Sequence, residues 1–128
     1  MNPLTTEWIQ KAEGDFGTAG REIRARRSPN YDAVCFHAQQ CAEKYLKALL
    51  QEEGIPFGKT HNLVILPDLL LPAEPSWDML RHDMQVLNGF AVYVRYPGES
   101  ADKATARDAL ALGRVIRSRA RAQLGLEP

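Results

Sequence analysis

The chain has 128 residues, with 16 basic and 16 acidic side chains and a formal net charge of +0. At 45% hydrophobic and 25% charged, with no low-complexity tract, it has the composition of a globular domain, and its balanced charge points to no partner by net charge alone. No run approaches the ~18 apolar residues of a membrane span, and MNPLTTEWIQKAEGD lacks the basic and apolar regions of a secretory signal, so a single domain over residues 1–128, in the cytoplasm and off the membrane, is expected.

The first helix is expected from Thr5 or Thr6, either of which can act as N-cap, to about Arg26. Trp8, Ala12, Phe16, Ala19 and Ile23 form its apolar stripe at helical spacing. Gly14, Gly17 and Gly20 recur in it, which suggests either a close helix–helix approach or a soft segment. Ser28-Pro29-Asn30 then breaks the chain.

Residues 33–54 carry the strongest helical period. Val34, Ala38, Cys41, Tyr45 and Leu49 make one stripe, and Ala42, Leu46 and Leu50 widen it. So broad an apolar face must be buried on more than one side. Gln39, Gln40, Glu43, Lys44 and Lys47 fall largely outside the stripe, with Glu43 and Lys47 placed as an i,i+4 pair. Gly54 is positioned as the C-terminal cap.

GIPFGKTHNL reads as a loop, with Thr60 capping a short helix from His61 and Pro67 interrupting it. Over residues 76–95, Trp77, Leu80, Met84, Leu87, Ala91 and Val94 alternate steps of 3 and 4, a core-facing seam. That helix should end at Tyr96, because the residue before a proline disfavours helical geometry. The last helix starts between Ser100 and Thr105, where Thr105-x-x-Asp108 resembles a capping box. Ala109, Leu112, Ile116 and Ala120 carry its apolar side. No segment sustains strand alternation. The fold expected is all-α, an antiparallel four-helix up-and-down bundle with a short extra helix.

Charge is unevenly distributed. Residues 28–102 hold five Lys/Arg against ten Asp/Glu, and residues 103–128 hold six against two. Arginines cluster at Arg21, Arg24, Arg26 and Arg27 and again at Arg114, Arg117, Arg119 and Arg121. Such clusters meet phosphates or an acidic partner, or they complement helix dipoles at solvated helix ends. Cys35 and Cys41 point to different faces of one helix and cannot bridge, which fits a reducing compartment. His37 and Cys41 have i,i+4 ligand spacing, but Cys41 lies in the core stripe, so packing is the reading and no metal or cofactor is expected.

Four stretches in order resemble the HEPN family, the higher eukaryote and prokaryote nucleotide-binding helical domains. They are WIQKAEGDFGTA, YDAVCFHAQQCAEKYLKALL, KTHNL and VRYP. The second is the most specific. The resemblance implies a helical bundle that forms a homodimer, often beside a minimal nucleotidyltransferase in a toxin–antitoxin pair. It also implies a metal-independent ribonuclease site, an Arg followed four to six residues later by a His. Arg95 matches that Arg, but YPGESAD follows it, and His37, His61 and His82 all lie upstream. The usual proton-transfer group is therefore missing. A toxin-like or nucleotide- or RNA-binding subunit is expected. The alternatives are a divergent ribonuclease around Arg95 and Tyr96, with Glu99 as a further group, and a purely non-catalytic binding module. Gln40, Glu43, Lys44 and Lys47, with Lys59 and His61, are the candidate nucleotide or RNA contacts.

Overall fold

The stripe-bearing helix is the centre of the molecule, as its breadth requires. In the computed structural model, which describes residues 1–94 and 96–128, the helices in chain order are α1 (Pro3–Ile23), α2 (Tyr31–Glu52), α3 (Leu66–Leu70), a 3-10 helix (Pro75–Leu80), α4 (Arg81–Tyr93) and α5 (Lys103–Gln123). There is no strand among the described residues. The architecture is the all-α antiparallel bundle expected from periodicity. Helix α2 packs along α1 and α5, and α3 and α4 close its remaining sides.

Val34, Ala38, Cys41, Ala42, Tyr45, Leu46, Leu49 and Leu50 are all fully or almost fully buried. With neighbours on so many sides, α2 has little solvated face left. Gln39, Glu43 and Lys47 are 1%, 1% and 4% exposed, so the expected open Glu43–Lys47 surface pair is in fact inside the protein. Buried polar groups must be paired, and these pair with one another.

On α1 the buried positions are Thr5, Ile9, Ala12, Asp15 and Ala19, while Trp8, Phe16 and Ile23 flank them half-buried. The stripe is thus rotated by one position from that drawn through Trp8. Asn2, not Thr5 or Thr6, caps the helix by accepting from the Leu4 N–H at 2.8 Å. The helix also stops at Ile23, short of Arg26.

The glycines of α1 do not mark a helix crossing. A Cβ at Gly14 would meet nothing, and at Gly17 and Gly20 only the Arg21 and Arg24 guanidiniums. The close approach is at Gly113 of α5, where a Cβ would lie 3.2 Å from the Ala38 carbonyl oxygen of α2.

Helix α2 starts at Tyr31, with the Asn30 side chain accepting from the Ala33 N–H at 3.0 Å. It ends as expected on Gly54, whose φ of +69° is the left-handed conformation glycine adopts at little cost. Thr60 does not start a helix. Its Oγ1 accepts from the Asn62 N–H in a local turn, and α3 begins only at Leu66. Pro67 sits in the first turn of α3, where its missing N–H has no helical partner to lose.

The expected helix over 76–95 is a 3-10 helix followed by α4, ending two residues earlier than predicted. Its seam holds: Trp77, Met84, Leu87 and Ala91 are buried, and the Trp77 indole N–H donates to Gln123 of α5 at 2.6 Å. Helix α5 is capped by Asp102, which accepts from the Thr105 N–H at 2.7 Å, so Thr105 is a capped residue and not the cap. No helix among the described residues is long and apolar enough to cross a membrane.

Candidate functional site

The polar residues nominated on α2 separate into two clusters. The first is built on Asp15 of α1. Its two oxygens take His37 Nδ1 at 2.7 Å and Lys44 Nζ at 2.5 Å. Asp15 is buried while His37 and Lys44 are partly open. Lys44 is therefore tied between α1 and α2, and His37 is occupied by a carboxylate and not by Cys41, which lies in the core. Among the described residues no group of three His, Cys, Asp or Glu is placed to hold a metal ion.

The second cluster centres on buried Glu43. Lys47 Nζ donates to its Oε2 at 3.3 Å, and His61 Nδ1 lies 3.1 Å from the same oxygen. Gln40 Nε2 donates to Gln39 Oε1 at 2.7 Å, and Gln39 Nε2 donates to the His61 carbonyl at 3.0 Å. The network thus fixes the KTHNL loop to α2. It brings Gln40, Glu43, Lys47 and His61 together and leaves Lys44 in the first cluster. Gln40, Glu43 and Lys47 are spent on one another, and of the four only His61, 67% exposed at its side chain, faces solvent.

Two aromatic residues that sequence patterning did not assign to the site stand beside this network. Trp8 and Phe57 meet edge-on, with ring centroids 5.9 Å apart at 60°. The Lys47 ammonium lies 5.2 Å from the Trp8 ring centroid, a cation–π contact. A cleft of about 270 Å³ on one side of this pair is lined by Trp8, Lys47, Phe57, Gly58, Lys59 and His61. On the other side a cleft of about 360 Å³ is lined by Leu4, Glu7, Trp8, Lys11, Gln51 and Phe57. Lys11 and Lys59 make no ion pair among the described residues. Aromatic faces beside unpaired lysines can stack a base and hold a phosphate. Helical spacing alone assigned Trp8 to the buried stripe, so the sequence carried no signal of this role; only the rotation of the stripe in the fold brings Trp8 to the surface cleft.

Most of the second arginine cluster turns inward. Arg117 binds Glu13 through two hydrogen bonds and lies 4.4 Å from the Phe16 ring centroid. Arg121 donates to the Tyr45 hydroxyl at 3.0 Å, and Tyr45 donates to Glu13 at 2.6 Å. The bond to Arg117 holds the Glu13 carboxyl below its ordinary value against the opposing effect of burial. Burial, with Glu13 beside it, pushes the Tyr45 hydroxyl far up. This cluster is structural.

Arg95 lies outside the described residues. Tyr96 is 63% exposed at the start of a turn closed by the Glu99 N–H and the Tyr96 carbonyl. The Glu99 carboxylate beside Tyr93 raises that tyrosine above its ordinary value.

The helical fold matches one class of protein. The HEPN domain profile matches residues 5–123, and the chain belongs to the HEPN family. The crystal structure of an archaeal HEPN homologue superposes with a TM-score of 0.71 at 24% identity, covering 94% of this chain and 97% of that one. That likeness shows the shared fold. No curated protein matches the sequence significantly.

Proposed function

We propose that this HEPN protein is a nucleotide- or RNA-binding subunit without the usual ribonuclease centre, acting as a homodimer beside a minimal nucleotidyltransferase. The observation that carries the binding reading is the Trp8–Phe57 pair, flanked by two clefts and by Lys59, His61 and Lys11. A base stacked on this half-buried aromatic pair would place its phosphates within reach of Lys59, Lys11 and the His61 ring. Gln40, Glu43 and Lys47 support this site from behind by fixing the loop that carries Lys59 and His61, and Lys44 stands apart on Asp15. The absence of a His four to six residues after Arg95 supports a subunit without the usual ribonuclease centre.

Intrinsic fluorescence tests the reading directly. The chain has two tryptophans, and Trp77 is fully buried, so quenching by added ligand reports on Trp8. Adenosine triphosphate and a short uridine-rich RNA are titrated at two salt concentrations. Binding that quenches Trp8, weakens with salt and is lost in Lys59→Ala supports the reading. Unchanged fluorescence with both ligands overturns it.

One observation favours a second reading, a metal-independent endoribonuclease. The exposed His61 is held through Nδ1 by buried Glu43, which leaves Nε2 facing outward, the arrangement of a proton-transfer histidine. Cleavage of RNA in the presence of chelator, lost in His61→Ala, would establish this reading. Loss in Arg95→Ala would bring Arg95 into the same chemistry.

A further inference from the structure

At the turn between α1 and α2 the chain gathers basic residues around a third concavity. A cleft of about 650 Å³ is lined by Arg24, Arg26, Lys103 and Arg107, with Tyr31 and Pro29 in its wall and no acidic residue. Two of these cations lie just after the end of α1 and two in the first turns of α5. Lys103 and Arg107 are four residues apart and so share one face of their helix, a like-charge placement that works against helix stability.

The contrast with the other arginines is informative. Arg117 and Arg121 meet Glu13, and Arg81 meets Asp68 and Asp78. None of the four cleft cations has a carboxylate within 4 Å among the described residues. Glu22 accepts from the Asn30 N–H, Asp32 from the Ala101 N–H and Asp102 from the Thr105 N–H, while the exposed Asp108, next to Arg107 in sequence, makes no ion pair with any of the four. The turn that brings the two pairs together holds Ser28 at a φ of +46°, a left-handed conformation uncommon for a residue other than glycine.

We infer that this cleft is a phosphate-binding site, distinct from the Trp8 groove, that takes the phosphodiester backbone of a single-stranded nucleic acid. Four unpaired cations converging on one concavity offer several positive donors to a polyanion, and arginine forks suit phosphate oxygens. Tyr31 adds a hydroxyl and an aromatic edge to the wall. A free phosphate or diphosphate has the same chemistry, so the test separates the two sources.

The probes are inorganic pyrophosphate, by calorimetry, and an eight-residue uridine oligomer, by fluorescence anisotropy. Each is measured against wild type, Arg26→Glu/Arg107→Glu, the gentler Arg26→Gln/Arg107→Gln, and Lys59→Ala. Arg26 and Arg107 are exposed, so circular dichroism should show intact helix in each variant. The expected result is at least about tenfold weaker oligomer binding in the charge-reversal variant. The slope of log affinity against log salt should also fall by about 1.4, two contacts at about 0.7 each. Weakened binding of the oligomer supports the site as a backbone contact. Weakened binding of pyrophosphate alone retains a phosphate site but overturns the nucleic-acid assignment. Wild-type binding of both probes by both double variants overturns the site itself. Lys59→Ala should leave pyrophosphate binding unchanged, so failure of the Trp8 groove and failure of this cleft give different results.

Discussion

Arg117 of α5 grips Glu13 of α1 with two parallel hydrogen bonds, Nε to Oε2 and Nη2 to Oε1, each 2.7 Å long. The pair joins residues 104 apart in sequence and fastens the last helix to the first. Because Tyr45 and Arg121 converge on the same carboxylate, removing Glu13 leaves three groups short of a partner. Glu13→Ala should cost about 2 kcal/mol, between the value of an exposed pair and that of a fully buried one. Arg117→Lys should lose about 1 kcal/mol, since an ammonium cannot reproduce the fork. Urea unfolding midpoints at neutral pH measure both.

The same carboxylate sets an acid limit on stability. Its folded pKa is depressed by the Arg117 bond, with burial opposing and Tyr45 assisting. A depressed acid contributes stability above its unfolded pKa and loses that contribution as pH falls through the folded value. Asp102 acts in the same direction through its bond to the Thr105 backbone N–H. Stability should hold from neutral pH to the ordinary carboxylate range and fall below it. Glu13→Gln should flatten that fall, as followed by thermal melts from pH 7 to pH 3. An equally steep fall in the variant would show that other carboxylates dominate.

Two glycine substitutions should have opposite signs. Gly14→Ala places a Cβ in open space on an exposed helix face, so it should stabilise by about 0.5–1 kcal/mol through helix propensity. Gly113→Ala places one 3.2 Å from the Ala38 carbonyl and 3.4 Å from the Ala38 Cβ. Backbone on the central helix cannot easily retreat, so overpacking should exceed the propensity gain, for a net loss of about 1 kcal/mol. Melting temperatures of the two variants, measured side by side, decide the point.

Both cysteines should be inert in the folded protein. Burial, with Asp32 and Asp102 nearby, pushes the Cys35 thiol up to about 11, and burial pushes Cys41 higher still. At pH 8 a thiol so raised has about a hundredfold less thiolate than an unperturbed one. Iodoacetamide should therefore label neither cysteine under native conditions and both in denaturant, as read by mass spectrometry. Rapid native labelling at Cys35 would mean that the N-terminal half of α2 opens readily.

The legible part of this protein was the part governed by local period. The stripe from Val34 to Leu49 and the seam from Trp77 to Ala91 were readable because a buried helix face repeats every three or four residues. The Gly54 stop and the absence of strands followed from the same local rules. Caps were less legible, because Asn2, Asn30 and Asp102 each compete with a neighbouring Thr, Ser or Asp of similar capping strength.

What no local rule contained was which polar residues the bundle would enclose. Glu43 and Lys47 read as a solvated pair because their spacing is that of a surface pair, and only the packing of neighbouring helices around α2 buries them. The pairing of Glu13 with Arg117, the seating of His61 on Glu43 and the meeting of Trp8 with Phe57 all join distant segments. The sequence by itself determined the helices, the central place of α2, the family motifs and the missing histidine after Arg95. Tertiary structure alone decided which cations became part of the fold and which four, three arginines and Lys103, were left facing a cleft without a counter-charge. The physical reason is that helix periodicity is a property of neighbours along the chain, whereas burial and ion pairing depend on side chains brought together from opposite ends of it.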